Sequence, residues 1–269
     1  MSCPLIDFVF RNMQLPFFVI ATCILLPRNE FVANTLSLSF TLAAKKSIDG
    51  PPSYSNLQGI KLALRSLEEA ARADCLGPMA IYPDPILRHS VSHVTKFDSK
   101  VEKVANLLID GMKTDATTAI QYGIDARIIV LKGSASPLAT GAPLVLINPN
   151  VLSRSGEDKM VPWTEYCGVF SNLSGNKDEV LEVELLRDEV VEVAAQDILG
   201  IPVRKALQGE AARSFQHELD HLEGLLIIDH AGLDELPIEV ARLEAPYHRD
   251  RQRLAYERRV YQGNEPLYR

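Results

Sequence analysis

The chain of 269 residues has only four cysteines, Cys3, Cys23, Cys75 and Cys167, widely scattered. Such spacing excludes the dense disulfide framework of a small secreted scaffold. Long apolar runs are missing too. The strongest, from Leu15 to Leu26, contains Pro16, closes on Pro27 and Arg28, and is too short to cross a bilayer as one helix. Positive charge is not in excess: the formal net charge is −7, which gives no support for a general nucleic-acid surface. No internal repeat or extended low-complexity segment is present. What remains is an ordinary soluble composition, with a chain long enough for one sizeable core plus extensions.

The N-terminus is short of the basic residues that a secretory signal needs, since Asp7 and one early arginine, Arg11, make a poor n-region. From Ala33 to Lys46 the chain is rich in serine and threonine, lacks acidic residues and ends in Lys45-Lys46. That pattern suits the polar part of an organellar transit peptide, although arginine is scarce. Gly50-Pro51-Pro52-Ser53 reads as a linker, and the spacing of Leu57, Ile60, Leu64 and Leu67 predicts a helix after it. Residues 1–75 are therefore expected to be an N-terminal extension, residues 76–235 the main domain and residues 236–269 a helical tail.

The chain's chemistry is concentrated in Gln216-His217-Glu218-Leu219-Asp220-His221-Leu222-Glu223-Gly224. At 100° per residue, His217 and His221 project from one face of a helix a turn apart. Two imidazoles so placed can grip one divalent cation, with Glu218 beside them to handle protons. Ala212, Phe215, Leu219 and Leu222 supply an apolar side, and Gly224 a C-terminal stop. The third ligand is open on this evidence. Ile227 stands where one family of zinc peptidases has histidine, while Glu235 and Glu239 are downstream carboxylates that nothing singles out.

At every specified position, residues 216–224 resemble the Q-H-E-x-D-H-L-x-G signature of peptide deformylases. Tyr82-Pro83-Asp84-Pro85-Ile86-Leu87-Arg88 resembles the family's Y-P-D-P-x-L-R entry segment. Its glycine-rich G-φ-G-φ-A-A-x-Q loop corresponds to residues 114–121, where Ala119 and Gln121 match and both glycines are replaced, by Thr114 and Ala116. Its E-G-C-L-S motif corresponds to Glu165-Tyr166-Cys167-Gly168-Val169, which keeps the glutamate and cysteine. The resemblance spans roughly residues 79–229 and implies an α+β fold, with antiparallel or mixed sheets around a central metal-binding helix. Local pattern agrees with that class. A helix is expected from the N-cap Asp98, burying Val101, Val104, Ala105, Leu108 and Met112. Strands are expected at residues 127–131, 144–147 and 179–186, the last turning through Arg187-Asp188-Glu189 into 190–194.

The resemblance also implies a site. Cys167, His217 and His221 would bind one divalent metal ion, Fe²⁺ first and Zn²⁺ second. Glu218 would carry protons, and Gln121 with the Gly168 backbone N–H would receive the oxyanion. The substrate would be the formyl-Met end of a nascent peptide, near the ribosome, in an organelle: a mitochondrion ahead of a plastid or the cytoplasm. Tyr166 in place of glycine is expected to crowd the groove and displace Gly168, leaving weak or altered activity. The competing readings are a metal-retaining binding protein without turnover and a zinc peptidase. Arg249, Arg251, Arg253, Arg258 and Arg259 make the tail basic, but acidic residues interrupt it, so a solvated helix is expected rather than a specific nucleic-acid site or membrane anchor.

Overall fold

The computed structural model describes residues 62–171 and 181–261, apart from the Tyr261 side chain. In chain order its strands and α-helices are β1 (Arg65–Ser66), α1 (Leu67–Ala70), α2 (Ser99–Gly111), β2 (Ala116–Thr118), β3 (Ile124–Asp125), β4 (Ile128–Leu131), β5 (Leu144–Arg154), β6 (Met160–Tyr166), β7 (Glu182–Asp188), β8 (Val190–Gln196), β9 (Pro202–Gln208), α3 (Gly209–Leu222), α4 (Ile238–Glu244) and α5 (His248–Tyr261). Strands β2-β4-β5-β8-β9 form an antiparallel sheet in that order, β6 pairs with β7, and β1 lies parallel to β3. Antiparallel sheets around one buried helix make this an α+β fold, as expected.

The core is organised by β4, Ile128-Ile129-Val130-Leu131, in which every residue is fully buried. Side chains alternate across a strand, so a run apolar throughout must be covered on both faces. Ile129 and Leu131 join Leu146, Val191, Leu207 and the α3 residues Ala212, Phe215 and Leu219. Ile128 and Val130 join Val101, Val104 and Leu108 of α2. Helix α2 begins where expected, with the Asp98 side chain accepting from Lys100 N at 2.9 Å.

Three expectations need correction or completion. Leu57 and Ile60 of the predicted early helix lie outside the described residues. Leu64 is not helical, because the helix starts only at Leu67. There Ser66 Oγ accepts from Glu69 N and Glu69 accepts from Ser66 N, a capping box that ends the preceding extended chain. Residues 62–75 also contribute to the fold: Leu62 N donates to Asp84, and Arg65 N to Gly123 O. Second, the expected turn at 187–189 leads from one sheet into another, since β7 pairs with β6 while β8 pairs with β5 and β9. Third, neither β6 nor β9 was read from the sequence.

The tail is docked on the domain. Arg258 reaches Glu223 (3.0 Å), Arg259 reaches Asp188 (3.1 Å), Arg251 pairs with Glu244, and Gln252 Nε2 donates to Ala231 O (2.9 Å). Arg253 is solvated, beside Asp250 and Glu257. Among the described residues no helix is long and apolar enough to cross a membrane.

Candidate metal centre

Helix α3 runs through the core, and each residue of its signature has a visible physical task. Gln216 clamps the end of β7: its Oε1 accepts from Asp188 N (3.1 Å) and its Nε2 donates to Asp188 O (2.9 Å). Leu219 and Leu222 are core. Glu223 accepts from Arg127 Nη2 at 2.6 Å. Gly224 turns the chain out of the helix at φ +73°, and a Cβ there would lie 2.6 Å from Arg88 O, so both backbone angle and space require glycine.

His217 and His221 share a face as their spacing requires, their ring centroids 5.2 Å apart. Strand β6 delivers Cys167 to them. Its Sγ lies 3.2 Å from His221 Nε2, and one ligand atom from each of Cys167, His217 and His221 falls within 4.8 Å of the others. Sulfur and nitrogen on a tetrahedral cation stand about 3.5 Å apart, given bonds of about 2.3 and 2.0 Å. The three side chains are buried, and their donor set and spacing fit one small divalent ion. Among the described residues no other histidine, cysteine or carboxylate trio is so arranged. Glu235 caps its own turn by accepting from Gly232 N, and Glu239 is exposed, so neither downstream carboxylate joins the trio.

A second layer of buried charge holds the ligands. Glu165 Oε2 meets His217 Nδ1 at 2.8 Å, which leaves Nε2 for the trio. Arg187 donates from Nε and Nη2 to both Glu165 oxygens at 2.9 Å, and from Nη1 to Asp220 at 2.7 Å. Asp220 in turn meets His230 Nε2 at 2.8 Å. Burial raises the Glu165 and Asp220 pKa values, but Arg187 together with His217 for Glu165, and with His230 for Asp220, outweighs it, and both end well below the carboxylate range. Burial also works against charge on Arg187, yet its two acids hold its pKa above the ordinary value. On His217 burial is outweighed by Cys167 and Glu165, and its pKa rises. On His221 burial and the His217 charge act together and push the pKa down to about 3.

Glu218 points into the cleft beside the trio. Burial pushes its pKa up to about 7, against the opposing pull of His217 and Arg213. Its Oε2 is buried without a hydrogen-bond partner among the described residues, leaving an acceptor for a proton from something that enters. Gln121 stands across the cleft. Its Oε1 accepts from Thr118 N (2.9 Å) and Thr117 Oγ1 (2.7 Å), so the loop uses the acceptor half of the amide and leaves Nε2 as a donor. Gly168 follows Cys167 against Met79, whose Cε lies 2.9 Å from where a Cβ would be. The cleft has a volume of about 500 Å³ and contains Cys167, His217, Glu218, Gln121, Gly168 and Tyr166. His221, buried, completes the trio. A second cavity of about 430 Å³ lies between β7, α3 and α5 and reaches none of the three ligands.

Tyr166 departs from expectation. It is the last residue of β6, paired with Glu182 and 64% exposed. Among the described residues the only non-glycine with positive φ is Asn148, so no left-handed strain arises at Tyr166. Its ring stands at the rim, and its own backbone is that of a regular strand. Glu165, Arg187 and Arg213 were the functional neighbours not recognised from sequence. A signal existed for Glu165 alone: it stands two residues before Cys167, a strand spacing that puts both on one face.

A family model described as polypeptide deformylase matches residues 77–235, more than half of the chain. The chain is 34% identical over 172 residues to peptide deformylase 1B, chloroplastic/mitochondrial, of Arabidopsis thaliana, covering 62% of this chain and 59% of that protein. It is 36% identical over 159 residues to the peptide deformylase of Dictyoglomus thermophilum, covering 58% of this chain and 93% of that protein. The matched stretch thus spans less than two thirds of the plant protein. The crystal structure of peptide deformylase from Thermotoga maritima is similar with a TM-score of 0.50 and 33% identity, over 58% of this chain and 97% of that one.

Proposed function

Because the chain belongs to the polypeptide deformylase family, we propose that it is a metal-dependent amide hydrolase that removes the N-formyl group from the head of polypeptides. The observation that carries this reading is the convergence, at one cleft, of a Cys-His-His trio, a buried carboxylate with a free acceptor oxygen and an amide donor. Cys167, His217 and His221 would hold the cation, Fe²⁺ ahead of Zn²⁺. A divalent ion there supplies Lewis acidity and lowers the pKa of water towards neutrality.

The remaining steps fall to the chain's own residues. Glu165 and Arg187 keep the His217 ring oriented. Glu218 takes a proton as water adds to the formyl carbon and returns it to the amine nitrogen as the C–N bond breaks. Gln121 Nε2 and the Gly168 N–H donate to the formyl oxygen as negative charge collects on it. The products are formate and a peptide with a free amino terminus. We place the protein in an organelle, a mitochondrion ahead of a plastid. The composition of residues 33–46 and the naming of the Arabidopsis relative as chloroplastic/mitochondrial both support that placement. Proximity to the ribosome belongs to the same reading.

Activity on formyl-methionine is proposed to be altered only slightly: the catalytic groups are retained, and Thr114, Ala116 and Tyr166, which replace glycines, stand at the rim. The test is formate release from a formyl-Met peptide by the full chain loaded with Fe²⁺ or Zn²⁺. Stoichiometric metal without formate release from any formyl peptide would favour a binding protein instead. Release of internal peptides from casein would favour a peptidase.

A further inference from the structure

Residues 79–91 carry Pro83 and Pro85, form only a short 3₁₀ turn at Pro85–Arg88 and join no sheet, so their place is set by scattered hydrogen bonds and side chains. This segment touches several parts of the proposed site. Ala80 N donates to Gln121 O at 2.6 Å, and Tyr82 N to Val169 O at 2.7 Å. The Tyr82 ring packs on Phe170 with centroids 4.9 Å apart, and Met79 backs Gly168. Further along, Val91 N donates to Leu222 O at 3.1 Å, and Arg88 lies against Gly224 where the ligand helix stops. The loop of Gln121, the turn after Cys167 and the end of α3 thus share one support.

That support is gripped by the C-terminal tail. Glu244, in α4, is 1% exposed, and its Oε1 accepts from the Tyr82 hydroxyl at 2.7 Å. Its Oε2 meets Arg88 Nη2 at 3.3 Å and pairs with Arg251 of α5. The Arg88 and Arg251 side chains are themselves largely buried, so little water can replace a lost partner. One carboxylate therefore ties the Tyr82 and Arg88 side chains to each other and to α5. Glu244 lies beyond residues 77–235, the stretch that matches the deformylase family.

We propose that Glu244 is a positioning residue for the hydrolytic site: through Tyr82 and Arg88 it fixes residues 79–91, and with them the Gln121 and Gly168 donors that face the formyl oxygen. The proposal rests on the N-formyl hydrolase reading for the task of those donors; the hold of Glu244 on the segment stands without it. Because the donors act on charge that collects during reaction, loosening them lowers kcat and leaves KM nearly unchanged. A residue that served folding alone would weaken protection throughout the domain instead.

The experiment uses the full chain loaded with Zn²⁺ and two size-conserving variants, Glu244→Gln and Tyr82→Phe. Hydrogen exchange read by NMR follows the Ala80 and Tyr82 amides, with Val104 and Leu108 of α2 as the reference for global opening. In both variants the Ala80 and Tyr82 amides should exchange about tenfold faster than in the wild type, while the α2 amides stay within about twofold and metal remains stoichiometric. On a formyl-Met peptide kcat should fall about tenfold with KM within about twofold, and the combined variant should lose less than the product of the single losses. If Glu244→Gln does not fold, Tyr82→Phe decides, since it deletes one oxygen and no charge. Unchanged exchange at Ala80 and Tyr82 overturns the proposal, as does acceleration matched by Val104 and Leu108. A wild-type kcat in both variants overturns it as well. No formate release from the wild type refutes the hydrolase reading; faster exchange confined to Ala80 and Tyr82 would still uphold the hold of Glu244 on the segment.

Discussion

Residues 216–224 and the walls of the cleft beside them obey different constraints. In the helical segment the leucines are held by the core, and every polar side chain but Glu218 has a named partner. Gln216 holds β7, His217 holds Glu165, Asp220 holds Arg187 and His230, and Glu223 holds Arg127. Removing one member of such a buried pair leaves an uncompensated charge, at about 3–5 kcal/mol. The walls carry fewer obligations: Thr114 Oγ1 bonds only the next-but-one carbonyl, Ala116 O, at 2.7 Å, and Tyr166 is mostly in water. Reactive groups are thus fixed by interactions that the fold itself needs, while the surfaces that meet a substrate remain free to change.

The sharpest way to break this contrast is inside the helix. Glu218→Gln removes the proposed proton carrier without touching a ligand, so formate release should fall by about 10²- to 10⁴-fold with metal content unchanged. Cys167→Ala, His217→Ala and His221→Ala should instead each lower the metal content, read by elemental analysis. Full occupancy after Cys167→Ala would remove the trio as a metal site. Chelation of the wild type should abolish formate release, with recovery on adding Fe²⁺ or Zn²⁺.

One step out from the ligands the effects should be intermediate. Glu165→Gln keeps the size of the side chain but weakens its hold on His217 and deprives Arg187 of an anionic partner. Metal affinity should fall about 10- to 100-fold, measured by competition with a chelator. An affinity within twofold of wild type would show that His217 needs no such support. Gly224→Ala tests packing alone: strain at φ +73° and the approach to Arg88 O should cost about 1–3 kcal/mol in denaturant unfolding, with metal affinity retained.

What could be read in the sequence follows the same division. Helix α2 was legible because burial on one side repeats every three or four residues after Asp98, and the ligand helix, buried on nearly every side, because of its His-Glu-x-x-His motif and the stop at Gly224. The four residues of β4 stood out because both faces are covered. Arg187 looked like a turn residue because its partners, Glu165 and Asp220, lie 22 and 33 positions away, and no local pattern encodes a pair at that range. Strand β9 was missed for a related reason: in Pro202-Val203-Arg204-Lys205-Ala206-Leu207-Gln208 only Leu207 is buried, and the pairing that defines the strand comes from β8. Arg213 was hidden by its own helix, since a charged residue beside Glu210 reads as a solvated ion pair until Trp163 and the cleft are seen around it.

The smallest effect is expected at Tyr166, which the sequence had marked as the main obstruction. Its backbone lies in β6 with regular pairing to Glu182, and its ring is 64% exposed, so the substitution for glycine does not strain the strand. Tyr166→Gly should lower stability by about 1 kcal/mol, because glycine is a poor strand residue. At matched metal occupancy it should change kcat/KM on formyl-Met by less than about threefold, the range of an ordinary surface substitution. Adding Thr114→Gly and Ala116→Gly should do little more, because Asp115 stays fastened to Ser134 through bonds of 2.6 and 2.9 Å and keeps that loop in place. A gain above about tenfold from Tyr166→Gly alone would reverse the comparison. The rim would then govern what reaches Glu218.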